Sequence, residues 1–256
     1  MPRWEVADQF VQRARVVATY AELFSLMEEA SVEIGFHYFA LVHHVDFRRG
    51  ESAAIRVENY PAGWADHFVK AGWYAEDPVH QACLRSNVGF SWADLPNMIA
   101  VSCRQRAILD GAAAFGLTNG YTVPVNIPGE VSGSCSFATL NGQQLPEHNL
   151  LLGQLIGAFS FQAARRITHR GTPPLPSPPR LTPRQRDCLL LAIHGKTDWE
   201  IARILGLSEE TVGQHLNMAR VRFGVSKRLQ LAVRAIFDGQ ISLVEALAGQ
   251  FPLKRE

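Results

Sequence analysis

The chain has 256 residues, of which 47% are hydrophobic and 19% charged, with a formal net charge of +1, as is typical of a globular protein with a hydrophobic core. No segment approaches the roughly 18 consecutive apolar residues of a membrane-spanning helix, and residues 1–24 lack the uninterrupted apolar stretch of a signal peptide. We therefore expect a cytoplasmic protein with no membrane partner, built as one large domain or two smaller ones.

The first part of the chain, residues 1–169, mixes helical and strand periodicity. Apolar residues at helical spacing predict helices within residues 17–36, 62–73, 103–116 and 146–167. Alternating patterns predict strands within residues 38–47 and 52–60, with a turn at Arg48-Arg49-Gly50, and a hairpin of residues 120–125 and 133–139 around Pro128-Gly129. Helices on both sides of a run of antiparallel strands predict an α/β/α sandwich.

A proline-rich segment follows, "RGTPPLPSPPR", residues 170–180. Proline fixes φ and lacks an N–H, so this segment is neither a helix interior nor a central strand. At about 3.1 Å per residue it is an extended spacer of roughly 30 Å. The sequence therefore predicts two separately folded domains, residues 1–169 and 181–241, with a C-terminal extension at residues 242–256 and an α+β class overall.

The second part shows only helical periodicity, which predicts an all-α domain of four helices. They are expected within residues 182–195, 198–206, 208–224 and 227–239. Thr182 and Ser208 are predicted N-caps, Thr197 or Asp198 caps the second helix, and Gly195 and Gly206 are predicted C-terminal stops. The extension contains helical spacing at residues 243–247, which indicates an additional capping helix.

Charge is distributed unevenly between the two parts. Residues 1–170 carry a net −3, and residues 171–256 carry a net +4, which favours a polyanionic partner for the second part. Gly195-Lys196-Thr197 resembles the end of a phosphate-binding P-loop, which also requires a glycine five positions before Gly195 and a preceding strand. That position is Leu190, inside a predicted helix, so nucleotide binding is not expected.

The second and third of these helices are joined by Gly206-Leu207-Ser208, which predicts a helix-turn-helix. Apolar residues at helical spacing are expected to be buried: Ile201, Ala202, Leu205, Leu207, Val212, Leu216, Ala219 and Phe223. The opposite face carries residues suited to the major groove: Thr211, Gly213, Gln214, Asn217 and Arg220. Nearby cations are available for phosphates: Lys196, Arg222, Lys227 and Arg228. The pattern alone equally favours a helical packing module with a solvated face.

Residues 181–241 resemble the LuxR-type DNA-binding domain over their whole length. The matching residues include Leu181-Thr182, Gly195-Lys196-Thr197, Glu200-Ile201-Ala202, Thr211-Val212, His215-Leu216 and Gly239-Gln240-Ile241. The resemblance implies a homodimer on a two-fold symmetric DNA site and base contacts from Gly213, Gln214 and Asn217. Gln185, where the family usually has Glu, departs from the pattern and is expected to weaken a polar contact. Gly213 is a second departure. Glycine inside a helix is less favourable than alanine by about 1 kcal/mol.

Aromatic residues are concentrated in the first part. Five of them fall within fifteen residues, Tyr60, Trp64, Phe68, Trp73 and Tyr74, and Asp77-Pro78 and Trp92 follow. Tyr60, Trp64 and Phe68 share one helical face. Such a stripe usually belongs to the core, and the alternative is a mostly apolar ligand pocket that contains a few polar groups.

This segment resembles the autoinducer-binding domain of LuxR-type quorum-sensing receptors through "EIGFHYFAL", "NYPAGW", "DPV", "FSW" and "AFGLTNGYTVPV". The resemblance implies an N-acyl-homoserine lactone as ligand. It implies that Trp64 donates to the lactone carbonyl and that Asp77 accepts from the amide N–H. Tyr60 is expected to hydrogen-bond to the acyl carbonyl, and Ser136 to reach the acyl carbonyl or a 3-substituent. Trp92 is expected beside the lactone ring, and Gly120 matches a family glycine beside the pocket.

Phe68 departs from this pattern, since the family usually has Tyr there, and the substitution changes the surface offered to the acyl chain. The alternative function is a solo LuxR-type regulator that responds to a non-lactone molecule or acts without ligand. His43, His44, His67 and His80 are possible bases, but no recognised catalytic motif accompanies them, so we do not expect an enzyme. The four cysteines lack metal-ligand spacing and are expected to be reduced and buried, with no metal and no cofactor beyond the lactone ligand.

Overall fold

The computed structural model describes residues 3–49, 54–128, 130–170 and 179–248. The chain divides into two compact units, the first formed mainly by residues before 174 and the second mainly by residues after it. Several predicted features lie wholly or partly outside the described residues: most of the proline-rich linker, Gly50 of the first turn, Gly129 of the hairpin turn and residues 249–256 of the extension.

The first unit combines helices with an antiparallel sheet. Its helices are α1 (Arg3–Val16), α2 (Tyr20–Glu33), α3 (Trp64–Ala71), α4 (Pro78–Cys83), α5 (Leu95–Met98), α6 (Cys103–Ala114) and α7 (Leu150–Thr168). Its strands are β1 (Tyr38–His43), β2 (Arg56–Glu58), β3 (Phe90–Ser91), β4 (Gly120–Val125) and β5 (Gly133–Ala138). Within the described residues these strands form a five-stranded sheet in the order β2-β1-β5-β4-β3.

The two faces of this sheet have different roles, because side chains alternate along each strand. One face packs in the main core with residues of α1, α2 and α7: Phe39, Leu41, Val57, Tyr121, Val123, Cys135 and Phe137. The other face turns towards α3, α4 and α6: Ala40, Val42, Arg56, Glu58, Ser134 and Ser136. The predicted α/β/α sandwich with an antiparallel sheet is thereby confirmed.

The predicted hairpin is confirmed to within one residue, and α2 begins later than predicted. Thr19 caps α2, since its side chain accepts from the backbone N–H of Glu22 at 3.2 Å. Helix α1 was not predicted, although Val6, Phe10 and Ala14 follow helical spacing and are buried in the core.

The prediction of four buried thiols is wrong for Cys103, which is exposed as the first residue of α6, directly after the Ser102 cap.

The second unit is all-helical, as predicted. Its helices are α8 (Pro183–Ile193), α9 (Asp198–Leu205), α10 (Glu209–Arg222), α11 (Arg228–Phe237) and α12 (Leu243–Leu247). Thr182 and Ser208 are confirmed as N-caps, and Thr197 rather than Asp198 caps α9 in a capping box with Glu200. Gly206 ends α9 with φ +67°, a left-handed conformation that glycine adopts without strain.

The core of the second unit contains the predicted residues of the helix-turn-helix. Fully buried are Cys188, Leu189, Ile201, Val212, Ala219, Leu231, Ala235 and Ile241. Leu205, Leu207 and Phe223 pack against them while remaining half-buried. In the described part of the chain, no helix has the length and apolar character that crossing a membrane requires.

Helix α12 confirms the additional helix expected in the extension, and its contacts explain why it forms. Ser242 and Glu245 make a capping box at its start. The Glu245 carboxylate also pairs with Arg186 of α8, and His194 hydrogen-bonds to the backbone carbonyl of Glu245 at 2.8 Å. The backbone N–H of Ser242, then the Arg186 guanidinium, lower the pKa of Glu245 to about 2.

This shift predicts an acid-sensitive contribution to the stability of the second unit. A carboxylate with a lowered folded-state pKa stabilises the fold at pH values above its ordinary pKa of 4.5. This contribution disappears as the pH falls towards about 2. Glu245→Gln is therefore expected to lower unfolding midpoints in urea at pH 7 and to have little effect near pH 2. Glu209→Gln, at an exposed glutamate, is the control. Equal destabilisation by Glu245→Gln at both pH values would contradict the assignment.

Candidate ligand cavity and nucleic-acid interface

A mostly apolar cavity lies between the second face of the sheet and helices α3, α4 and α6. Six of the seven predicted ligand-binding residues line it: Tyr60, Trp64, Phe68, Asp77, Trp92 and Ser136. Gly120 does not line the cavity and lies behind its wall. A Cβ at this position would stand 2.4 Å from Cε2 of Trp92, so only glycine lets the indole lie this close to β4.

The two carboxylate oxygens of Asp77 have different partners. Oδ1 accepts from the backbone N–H of Val79 at 2.7 Å and so caps α4. Oδ2 lies 3.6 Å from Nε2 of His80, and the side chain is 14% exposed. Asp77 therefore has a structural role as the cap of α4, and Oδ2 leaves the carboxylate with further capacity to accept a hydrogen bond.

A chain of hydroxyl groups crosses the cavity wall. The indole N–H of Trp92 donates to Oγ1 of Thr122 at 2.9 Å, and Thr122 Oγ1 lies 2.8 Å from Oγ of Ser136. Tyr60 lines the cavity with Ser136, and burial raises the pKa of Tyr60 well above its ordinary value, so its hydroxyl stays protonated. Thr122 was missed from sequence, because its pairing with Ser136 depends on the register of the hairpin.

Trp64 is packed among aromatic rings on the opposite wall. Its ring centroid lies 5.9 Å from that of Phe68, 6.0 Å from Trp73 and 5.7 Å from Phe115. Within the described part of the chain, no group accepts a hydrogen bond from its indole N–H. The cavity therefore presents the Trp64 N–H, the Tyr60 hydroxyl and the Asp77 carboxylate among mostly apolar side chains, and it is also lined by the charged residues Arg56 and Glu58.

Two histidines that the sequence suggested only as possible bases form a stack beside the cavity. The rings of His44 and His80 lie 3.8 Å apart at 19°. Burial, and then the charges of His80 and His43, lower the pKa of His44 well below its ordinary value. Its imidazole is therefore neutral near pH 7, and Nε2 lies 3.0 Å from the Ser134 hydroxyl.

Helix α10 of the second unit presents the predicted base-contacting residues. Gln214 and Asn217 are exposed, while Thr211, Gly213 and Arg220 are half-buried. A Cβ at Gly213 would meet nothing within 4 Å, so glycine is not required there by packing inside the unit. The side chains of the other four residues make different hydrogen bonds within the protein, and these differences bear on their predicted roles.

Gln214 donates to Glu210 at 3.4 Å, and Thr211 lies 2.8 Å from the Ser208 hydroxyl. Arg220 donates to the backbone carbonyl of Ser226 at 3.0 Å and to Oδ1 of Asn217 at 2.9 Å. Arg220 therefore fixes the Asn217 side chain and the loop after α10.

The cations predicted to contact phosphates already have partners within the protein, and these partners differ from one cation to the next. Lys196 is exposed and lies 3.4 Å from Glu200, while Arg228 pairs with Asp198. Arg222 donates to the Arg180 carbonyl at 2.8 Å and to Oε1 of Gln185 at 3.2 Å. The structure thus places Arg222 against the start of α8, where it joins two helices of the second unit.

Comparison with known proteins identifies both units. Residues 19–167 match the autoinducer binding domain, and residues 179–235 match the bacterial regulatory proteins of the luxR family. The chain belongs to the LuxR family of regulatory proteins. It is an autoinducer-binding regulator with a DNA-binding helix-turn-helix, as its sequence motifs indicated.

Relatives of similar length support this membership. The transcriptional activator protein VanR of Vibrio anguillarum is 27% identical over 239 residues, which cover 91% of this chain and 97% of VanR. The transcriptional activator protein LuxR of Aliivibrio fischeri is 28% identical over 189 residues, 72% and 74% of the two chains. Both relatives are transcriptional activators. The crystal structure of Escherichia coli SdiA shares the fold, with a TM-score of 0.60, 24% identity and coverage of 92% and 98%.

Gln185, the departure from the LuxR-type pattern, makes the contacts that a glutamate would make. It is buried, forms a capping box with Thr182 and accepts from Arg222. A carboxylate would turn these hydrogen bonds into charge-assisted ones, which are stronger, at some cost in desolvation. Gln185→Glu is expected to raise the free energy of unfolding of the second unit by about 1 kcal/mol.

The measurement is urea unfolding of the full chain, followed in a double-mutant cycle with Arg222→Ala. The gain from Gln185→Glu is expected to disappear in the Arg222→Ala background. A gain of the same size in both backgrounds would show that Arg222 is not the partner.

Proposed function

We propose that this LuxR-family protein is a quorum-sensing transcription factor that binds an N-acyl-homoserine lactone in the cavity of the first unit. The observation that carries the proposal is the set of polar groups in that cavity. The N–H of Trp64 lacks a protein acceptor in the described chain, Asp77 retains acceptor capacity, and Tyr60 and Ser136 offer hydroxyls. A lactone carbonyl, an amide N–H and an acyl carbonyl would satisfy these groups, and buried polar groups require such partners.

The proposed roles follow residue by residue. Trp64 donates to the lactone carbonyl, Asp77 accepts from the amide N–H, and Tyr60 and Ser136 contact the acyl carbonyl. Trp92 stacks beside the lactone ring. Its indole is held by the hydrogen bond to Thr122 and occupies the space left by the missing side chain of Gly120. Phe68 contributes apolar surface to the same wall.

The test is mass spectrometry of small molecules that co-purify with the full-length protein from a lactone-producing host. A bound N-acyl-homoserine lactone is the expected result, and a different stoichiometric ligand would favour a solo regulator that responds to another molecule. Full operator affinity in preparations without any small molecule would favour a ligand-independent regulator. Turnover of added lactone, followed by the same method, would instead indicate an enzyme.

We further propose that the protein acts in the cytoplasm as a homodimer on a two-fold symmetric DNA site, with the domain boundaries given by the sequence. Two exposed apolar stripes at helical spacing support the dimer: Leu151 and Leu155 on α7, and Leu229, Val233 and Phe237 on α11. Leu151 and Leu155 fall within residues 145–169 and the other three within residues 227–237, and we propose these two segments as the dimer surface. A second copy would bury them, and a two-fold symmetric site requires two α10 helices about one DNA turn apart.

Sedimentation of the full-length protein with lactone and with operator DNA tests the homodimer. A dimer at micromolar concentration is expected. A strictly monomeric species under both conditions would contradict it.

A further inference from the structure

The cavity contains one ion pair that the proposed lactone contacts leave unused. Arg56 and Glu58 of β2 both line the cavity, and Nε of Arg56 donates to Oε1 of Glu58 at 2.7 Å. Their side chains are 34% and 17% exposed, so the pair is partly withdrawn from water. The Arg56 guanidinium also lies 5.7 Å from the centre of the Phe47 ring, which lines the same cavity and helps to fix its position.

The register of the sheet places this pair at the far end of the cavity from Trp92. Thr122, Ser136, Ala40 and Glu58 form one row across four adjacent strands. Trp92 is bonded to Thr122 at one end of the row, and Glu58 stands at the other. Neighbouring strands are about 4.8 Å apart, so the backbone of Glu58 lies about 10 Å from that of Ser136. An acyl chain that starts at Ser136 and crosses Ala40 ends at Arg56 and Glu58.

The ion pair has hydrogen-bonding capacity that the described protein residues do not use. Arg56 engages Glu58 through Nε, and within the described chain its two terminal nitrogens donate to no protein group. The second oxygen of Glu58 likewise accepts no hydrogen bond there. A methyl-terminated chain would remove water from these charged groups without replacing its hydrogen bonds, which is unfavourable.

We infer that the ligand carries a hydroxyl group at the far end of its acyl part, bound between Arg56 and Glu58. A hydroxyl accepts from a guanidinium N–H and donates to a carboxylate oxygen at the same time. A terminal carboxylate would pair with Arg56 but be repelled by Glu58, and a terminal ammonium would pair with Glu58 but be repelled by Arg56, whereas a neutral hydroxyl meets no like charge. This inference rests on the proposed function, because it takes the lactone head and the acyl carbonyl to be bound as described above.

The experiment compares matched N-acyl-homoserine lactones by isothermal titration of the full-length protein. N-hexanoyl, N-octanoyl and N-decanoyl lactones are each paired with their ω-hydroxy counterparts. At the chain length that reaches the pair, the ω-hydroxy form is expected to bind about tenfold more tightly, since hydrogen bonds to charged groups are among the stronger ones. Shorter chains are expected to show a smaller difference.

The variant carries Arg56→Met and Glu58→Met together, which removes both charges while keeping two long side chains on an edge strand. Its preference is expected to reverse in favour of the unsubstituted chain. The matched control carries Arg104→Met and Glu76→Met, which removes another ion pair of the first unit that does not line the cavity. This control is expected to keep the wild-type preference.

The outcomes separate this inference from the proposed function. Wild-type protein that binds unsubstituted lactones as well as or better than the ω-hydroxy forms at every length would overturn only the inference. So would a hydroxyl preference that survives in the double variant. Failure of the wild-type protein to bind any lactone of either series would overturn the proposed function and the inference with it.

Discussion

Asp77→Asn is expected to weaken the binding of an N-acyl-homoserine lactone by roughly tenfold to a hundredfold. The proposed bond from the ligand amide N–H to the Asp77 carboxylate is charge-assisted, and such bonds contribute about 1.5–3 kcal/mol. Asparagine keeps the shape of the side chain and removes the charge. Its amide group can also turn a donor towards the ligand N–H, which would be repulsive.

The structure makes this substitution selective, because the two functions of Asp77 use different oxygens. Oδ1 caps α4 through the backbone N–H of Val79, and asparagine is as good an N-cap as aspartate. Asp77→Asn therefore keeps the cap while it changes the acceptor offered to the ligand. Asp77→Ala is the matched control, since it removes both and is expected to destabilise the ligand-free protein by about 0.5–2 kcal/mol.

Thermal unfolding with and without added lactone measures both effects. Wild-type protein is expected to show a ligand-induced rise in Tm, and Asp77→Asn a much smaller rise from a nearly unchanged ligand-free Tm. A full ligand-induced rise in Asp77→Asn would restrict Asp77 to its capping role.

Local patterns in the sequence predicted most of the elements that carry the cavity and the helix-turn-helix. The β4–β5 hairpin was placed within one residue because its alternation is regular, and α9 was bounded by Thr197 and Gly206, whose capping chemistry is local. Strand β3 has two residues and α5 has four, too few for any periodicity to be visible.

The polar groups that cross the cavity wall were harder to predict, since they depend on register. Thr122 meets Ser136, and Glu58 joins the same row, only because β2, β1, β5 and β4 pair as they do. A register shift of one residue would turn each of these side chains to the other face. The aromatic residues and Asp77 were found because their order along the chain is itself a family motif.

Asn217→Ala is expected to change which operators the protein selects, with a loss of about 1–3 kcal/mol at one base pair, or roughly tenfold to a hundredfold. Asparagine can recognise adenine through two hydrogen bonds, one accepted by Oδ1 and one donated by Nδ2. In the free protein Arg220 already donates to Oδ1 at 2.9 Å. A carbonyl oxygen accepts two hydrogen bonds, so Arg220 can hold the side chain while it contacts a base.

Lys196→Ala is the comparison, because a phosphate contact carries no sequence information. It is expected to weaken binding to all DNA sequences alike and to reduce the slope of log affinity against log salt by about 1. Arg222→Ala is expected to weaken binding in the same uniform way and reduce the salt dependence. Its bonds to Arg180 and Gln185 add a loss of folding stability, so its affinity must be measured where the variant is fully folded.

The measurement is a set of binding titrations against an operator and against versions changed one base pair at a time, each over a range of salt. For Asn217→Ala, the expected result is loss of discrimination at one position in each half-site, with the salt slope kept. Two positions related by two-fold symmetry are expected to respond together, because each half-site would meet one α10 helix. An equal loss of affinity on every sequence would show that Asn217 supports the helix or contacts the backbone, and does not read a base.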